Sequence, residues 1–303
     1  MSIAQVKAQI NGQTYTLNWD ESEGKYKATI NAPGKSSYNN NDDHYYPVSV
    51  TATDDGGNST TIDDTHETFG ELLKLRVKEK VVPTITITAP TGGATLTNNK
   101  PEITAQLRDD DSGIDTTSII LKIDDSPVEE SSITKNPVTG GYDISYTPTT
   151  ALDDGNHNIS IQVSDNDGNQ CEAVTSTFKV DTVPPVLTIT APTEGFITNN
   201  ATLTVSGTTN DVTSSPVTVT ITLGSVDQGE VTVESSGSFS KQITLNEGVN
   251  VIVITATDSA GKSSSVTRNV TLDTGAPVFQ SVSIVPNPVD CGATYVITVE
   301  VTD

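Results

Sequence analysis

Cysteine, histidine, aromatic side chains and positive charge are all scarce in this chain. Two cysteines occur among 303 residues, Cys171 and Cys291, too few and too far apart for a disulfide-framed domain. Aromatics make up 5% and hydrophobic residues 33%. Globular domains carry roughly 45–50% apolar residues with Gly counted, so each core must be thin. Lys and Arg number 16 against 39 acidic residues, a formal charge of -23. Nucleic acids and anionic membranes are held by cationic faces, so neither is an expected partner. No apolar run approaches the roughly 20 residues of a spanning helix, so no membrane insertion is expected. Met1–Lys7 has no apolar h-region, so no signal peptide is read there.

Catalytic groupings are missing too. The three histidines, His44, His66 and His157, lack the spacing of a metal motif. There is no Gly-x-Ser-x-Gly elbow, no Cys/His zinc pattern and no phosphate loop. Asp63-Asp64 beside His66 reads as a solvated turn, and His157 as a packing or turn residue. The chain is therefore not expected to be an enzyme.

What is present is period-two alternation in β-branched residues. Val48–Thr53, Ile159–Ser164 and Val251–Thr257 read as strands bounded by Asp, Asn and Gly. Helix formers are sparse; Thr65–Leu73 has room for one helical turn, with Thr65 as its cap. Self-comparison shows a repeat. Val82-Pro83-Thr84-Ile85-Thr86-Ile87-Thr88-Ala89-Pro90-Thr91 returns as Pro184-Pro185-Val186-Leu187-Thr188-Ile189-Thr190-Ala191-Pro192-Thr193, 102 positions later. A strand ending in Thr/Ser-Asp before a Gly turn occurs at Thr53-Asp54, Ser164-Asp165 and Thr257-Asp258. The exit Lys179-Val180-Asp181-Thr182-Val183-Pro184 is echoed by Thr271-Leu272-Asp273-Thr274-Gly275-Ala276-Pro277. A unit of about 100 residues with about seven short strands is the size of an immunoglobulin-like sandwich.

On these residues, 84–181 and 186–273 resemble bacterial Ig-like repeat modules, of the kind found in surface adhesins and phage virion proteins. The supporting marks are Ser112-Gly113-Ile114-Asp115 after strand B, Leu152–His157 before strand F, and Asp-x-x-Gly-Asn after it. The third unit departs from the pattern, with Lys262 in place of Asn. The resemblance implies an all-β chain of tandem Ig-like sandwiches. It is specific for fold and weak for function.

The two ends read as complementary fragments. Ala4–Gly12 matches strand C, Gly24–Ile30 strand E, Tyr46–Thr53 strand F and Leu73–Lys80 strand G, with nothing for strands A and B. Phe279–Pro286 and Tyr295–Val301 read as strands A and B. The expected division is therefore 1–82, an incomplete unit; 83–182 and 183–275, complete domains; and 276–303, a possible donor hairpin. Donation would bring Val282, Ile284, Tyr295, Ile297 and Val299 onto Val6, Ile10, Tyr26 and Val50. The partner would be another copy or a sister Ig-like protein.

The B–C and F–G loops of such a sandwich lie at the end where the chain enters. That gathers Asp109, Asp111, Asp165 and Asp167 at one junction, and Asp181, Asp211 and Asp258 at the next. Carboxylates at close range repel unless screened or bridged, and calcium takes six to eight oxygens, so these clusters are candidate calcium sites; the alternative is that Asp and Asn simply make Asx turns before a Gly. The aromatics of the first unit, Tyr15, Trp19 and Tyr26 among them, are at hairpin spacing and suit cross-strand pairing; a host-surface glycan is the alternative contact. The function expected is a structural assembly module of a phage or prophage virion, outside the cell. Its rivals are a calcium-stiffened adhesin stalk and a carbohydrate-binding accessory module.

Overall fold

The computed structural model describes residues 2–303, and it is all-β. Two compact units divide it, the first running to Val180 and the second from Asp181 to Asp303. Among the described residues no helix is long and apolar enough to cross a membrane.

The first unit opens with β1 (Ile3–Ile10), β2 (Gln13–Asp20), β3 (Lys25–Lys27), β4 (Tyr46–Asp54), β5 (Ser59–Ile62) and β6 (Lys74–Leu75). They form one sheet in the order β3-β2-β1-β4-β5, with β6 also on β4. Cross-strand partners Val6/Ala52, Ala8/Val50, Ile10/Val48 and Val6/Leu17 share a face, because side chains alternate along a strand. Among the described residues of 2–82 there is no second sheet, yet Val6 and Ala8 on that face are buried, while Val50 and Ala52 are half-buried.

Three expectations are corrected here. The segment assigned to strand E contributes only Lys25–Lys27, and it joins β2 rather than a separate sheet. Without strand B beside it, its backbone pairs with the nearest free edge. Strand G is shorter than expected: Lys74–Leu75 alone pairs with β4, at Tyr46 and Pro47, and Ser59–Ile62 pairs with β4 at Val50–Thr53. The helical turn is confined to Gly70–Leu73 and starts after Phe69 without a side-chain cap. Thr65 is instead held in a turn by the Asp63 carboxylate.

The rest of this unit is a two-sheet sandwich. Its strands are β7 (Thr84–Ala89), β8 (Thr95–Leu96), β9 (Ile103–Arg108), β10 (Ile114–Ile123), β11 (Ser126–Pro127), β12 (Thr134–Val138), β13 (Gly141–Tyr146), β14 (Gly155–Asp165) and β15 (Val174–Val180). One sheet has the order β11-β10-β14-β15-β8 and the other β12-β13-β9-β7. Alternate residues of β9 and β14 (Ala105 and Leu107, Ile159, Ile161 and Val163) meet between them and are fully buried.

The second unit repeats the plan with β16 (Val186–Ala191), β17 (Phe196–Thr198), β18 (Thr202–Asn210), β19 (Thr218–Leu223), β20 (Val226–Asp227), β21 (Ser238–Thr244), β22 (Gly248–Thr257) and β23 (Ser263–Leu272). The sheets run β17-β23-β22-β19-β20 and β16-β18-β21. Ile252, Ile254 and Ala256 of β22 take the place of Ile159, Ile161 and Val163. Gly207 lets the second sheet close: a Cβ there would stand 2.3 Å from the Thr188 carbonyl oxygen and 2.7 Å from the Phe239 ring.

Last come β24 (Val278–Val285) and β25 (Val296–Thr302), which among the described residues pair only with each other. Phe279/Val301, Val282/Val299 and Ile284/Ile297 are opposite one another. The other face carries Ser281/Glu300 and Ser283/Thr298. The hairpin is thus amphipathic, yet all 8 residues of β24 and all 7 of β25 are exposed.

Candidate metal centres

Each strand B and each strand F ends on an aspartate, and the fold sets these ends side by side. Asp109 follows β9 and Asp165 closes β14; Asp211 follows β18 and Asp258 follows β22. A third carboxylate comes from the segment entering each sandwich. The result is two triads, Glu79–Asp109–Asp165 and Asp181–Asp211–Asp258, each with carboxylate oxygens within 4.8 Å of one another.

In the first triad four of the six carboxylate oxygens accept hydrogen bonds, and none is buried without a partner, although Ser112 Oγ beside it is. Asp109 Oδ1 accepts the amides of Asp111 (3.1 Å) and Gly113 (2.7 Å). Asp165 Oδ1 accepts the Asn169 amide at 2.7 Å, and Oδ2 the Asn169 side-chain Nδ2 at 2.6 Å. Glu79 Oε1 accepts the Ser112 amide at 2.6 Å. Burial nonetheless pushes the Glu79 carboxyl above its usual range, against the Ser112 hydrogen bond and with help from Asp109 and Asp111.

The second triad is deeper and less satisfied. Asp181, Asp211 and Asp258 are 0%, 8% and 6% exposed. Their Oδ1 atoms accept local amides: Val183 to Asp181, Thr213 and Ser214 to Asp211, Ala260 and Lys262 to Asp258. Oδ2 of Asp181 and Oδ2 of Asp258 are buried with no hydrogen-bond partner. Ser214 Oγ, near Asp211 in the chain, is in the same condition.

Glu79 was not singled out by sequence reasoning. Its signal was there: an acid four residues ahead of Pro83, as Asp273 stands ahead of Pro277. Asp111 and Asp167, which the sequence places with the first cluster, lie outside the triad. Asp111 accepts the Ser36 amide and Asp167 the Glu79 amide, so both fasten the N-terminal segment to the loops. Two further acids flank Gly275, since a Cβ there would lie 3.2 Å from Asp273 Oδ1 and 3.9 Å from Asp303 Oδ1.

Asp54 makes the same turn as Asp165 and Asp258. Its N–H donates to the carbonyl four residues on, its carbonyl accepts from Gly57, and its Oδ1 accepts the Asn58 amide. Counting from these aspartates, Val50 and Ala52 align with Ile161 and Val163, and with Ile254 and Ala256. Those four are 0% exposed, whereas Val50 and Ala52 are only half-buried. The same count back from Asp303 aligns Val301, Val299 and Ile297 with Leu107, Ala105 and Ile103. The first three are 46%, 45% and 55% exposed; the others are buried.

The side chains expected at a donation interface, Tyr295 apart, lie on these two faces. Val6, Ile10 and Val50 share one face of the N-terminal sheet, with Tyr26 beside Trp19. Their rings meet edge-on at 5.2 Å, and Trp19 remains 53% exposed. Val282, Ile284, Ile297 and Val299 line the hairpin, and Tyr295, just before β25, is exposed too.

His157 serves structure. Its Nδ1 is 2.7 Å from Asp124 Oδ2, and its Nε2 is 2.7 Å from the Asp153 carbonyl oxygen. Burial works to lower its pKa, but the Asp124 and Asp153 contacts outweigh that and hold it above the ordinary 6.5. A raised folded-state pKa contributes stability that is present in full below pH 6.5 and lost as pH climbs through the raised value. The melting temperature of the 83–180 sandwich should therefore fall across that window, and His157→Gln should flatten the dependence. Calorimetry between about pH 5.5 and 8.5 checks this.

Residues 83–161 match the family described as Bacterial Ig domain, and residues 185–274 match Glucodextranase, domain B. No curated protein matches the chain. Among solved structures, the fibronectin(III)-like modules of Clostridium thermocellum CbhA are 17% identical, with 63% of this chain and 94% of that chain covered and a TM-score of 0.38. Sidekick-1 immunoglobulin domains 1–5 are 14% identical, with 98% and 60% covered and a TM-score of 0.40. A run of titin domains is 13% identical, with 88% and 86% covered and a TM-score of 0.40. The class is that of tandem immunoglobulin-like β-sandwiches. Within it, the segment 83–161 is similar to bacterial Ig domains.

Proposed function

We propose that this chain is a non-catalytic assembly protein, a tail or decoration component of a phage or prophage virion. Hairpin β24–β25 of one copy covers the apolar face of β1, β2 and β4 in another. The observation that carries the reading is the exposed apolar face of the hairpin, together with the strand-F positions Val50 and Ala52, which are only half-buried although Val6 and Ala8 beside them are buried. Val50 and Ala52, and Ile297, Val299 and Val301, stand where the complete sandwiches have buried residues of strands F and B. Donation would also bring Asp303 and Asp273 of one copy beside Asp54 of the next, repeating the acidic geometry of the two triads.

Covering about 400 Å² of apolar surface at roughly 25 cal/mol per Å² is worth about 10 kcal/mol, enough to decide association. The two faces differ, so the contact is heterologous and builds a ring or an open filament. A sister Ig-like protein with the same hairpin would serve equally. The virion setting rests on the resemblance to bacterial Ig-like modules, which phage virion proteins and surface adhesins share. A calcium-stiffened adhesin stalk is the rival setting, and immunolabelling of virions and cell surfaces separates the two. Exposed Trp19 beside Tyr26 favours a second reading, contact with a host-surface glycan. The donated hairpin would cover that ring pair, so glycan binding by the assembled form would support the second reading against the first.

Size-exclusion chromatography with light scattering tests assembly. The full chain should give concentration-dependent oligomers, and deletion of residues 276–303 should leave a monomer. A full chain that stays monomeric at every concentration overturns the proposal.

A further inference from the structure

We infer that Asp181, Asp211 and Asp258 hold one divalent cation, and that the cation is calcium. This goes beyond the assembly reading and does not depend on it. All three side chains are more than nine-tenths buried, and their carboxylate oxygens converge within 4.8 Å. The Oδ1 atoms are engaged by main-chain amides. The orphan atoms Asp181 Oδ2 and Asp258 Oδ2 are the ones left to face a ligand. A buried acceptor without a donor is costly, and a single cation between the three satisfies all of them.

The first triad is the internal contrast. There Asn169 donates its side-chain amide to Asp165 Oδ2. The third sandwich has Lys262 at that position. Its main-chain amide still bonds Asp258 Oδ1, but it has no side-chain amide to offer, and among the described residues its ammonium makes no ion pair. Removing one amide is what leaves the orphan oxygen. No cation is assigned to the first triad, none of whose carboxylate oxygens is buried without a partner.

The donors are all hard oxygens, with no His or Cys among them, which disfavours zinc and copper. Magnesium demands a near-octahedral shell and keeps several waters, for which so enclosed a site leaves little room. Calcium accepts irregular shells of six to eight oxygens, including carbonyls and hydroxyls. Ser214 Oγ, buried and unpartnered, is a candidate for one of them.

The test is calorimetric titration of the EDTA-stripped full chain with calcium chloride, and separately with magnesium chloride. One calcium should bind per chain, with a rise in the melting temperature of the 181–303 unit. Asp181→Asn and Asp258→Asn should each weaken binding by at least about tenfold, and Asp109→Asn, in the other triad, should leave it unchanged. Circular dichroism reports whether each variant folds. Should one variant fail to fold, the other and the wild-type melting shift decide. No binding heat and no melting shift in the wild type overturns the inference. So does binding that survives both substitutions, or binding lost in Asp109→Asn. Magnesium bound as tightly as calcium overturns the choice of ion.

Discussion

Ile297→Lys should dissolve the assembly while leaving both complete sandwiches folded. Ile297 faces Ile284 across the hairpin and is 55% exposed, so an isolated chain loses almost nothing by the change. In the assembled state it would occupy the place that Ile103 fills at 2% exposure in the complete sandwich. Burying an isoleucine is worth about 2 kcal/mol, and each 1.4 kcal/mol is roughly tenfold in affinity. Losing that burial alone weakens association about thirtyfold, and desolvating an ammonium against Val50 and Ala8 weakens it further. Sedimentation velocity on wild type and variant should show oligomers only for the former, with the melting of the 83–180 and 181–303 units unchanged. Ser283→Lys, on the polar face, is the control and should assemble normally.

A pair of alanine substitutions at one structural position should differ several-fold in cost. Ile161 and Val50 occupy equivalent sites on strand F, but Ile161 is 0% exposed between two sheets and Val50 lies under no second sheet. Ile161→Ala should cost about 3–4 kcal/mol, the transfer loss plus the cavity left behind. Val50→Ala removes two methyl groups that are half in water, so in dilute solution it should cost about 0.8 kcal/mol. At concentrations where the chain assembles, that cost should roughly double as the face becomes covered. Chemical denaturation of the two variants across a dilution series checks both numbers. A Val50→Ala cost independent of concentration counts against hairpin donation.

Much of the fold was legible because its buried strands carry an unmistakable alternation. Ile159, Ile161 and Val163, or Ile252, Ile254 and Ala256, announce a strand with one apolar face, and the Asp-plus-Gly turn after each marks its end. Strands with weak patterns were less visible. Strand β12 contains Pro137, which cannot donate to a ladder and suits only an edge. Lys25–Lys27 looks like strand E by sequence, but its partner is chosen by which edge is free, a tertiary fact. The acids of the second triad were legible because all three sit at element ends whose spatial order the sandwich dictates. Asp111 and Asp167 sit at the first junction but outside its triad, because a turn aspartate can point either at the other carboxylates or back at the neighbouring backbone, and sequence does not distinguish these. The unsatisfied Oδ2 atoms were beyond any sequence argument, since they depend on which donors reach them.

The most direct measurement is disulfide trapping between two differently tagged copies, both carrying Cys291→Ser. One has Val50→Cys on the N-terminal face and the other Ile297→Cys on the hairpin. Mixing them under mild oxidation should yield a heterodimer carrying both tags, and a Ser283→Cys copy should not cross-link to the Val50→Cys partner. No heterodimer at concentrations where the wild-type chain is oligomeric, or equal trapping through Ser283→Cys, would contradict the pairing of these two faces.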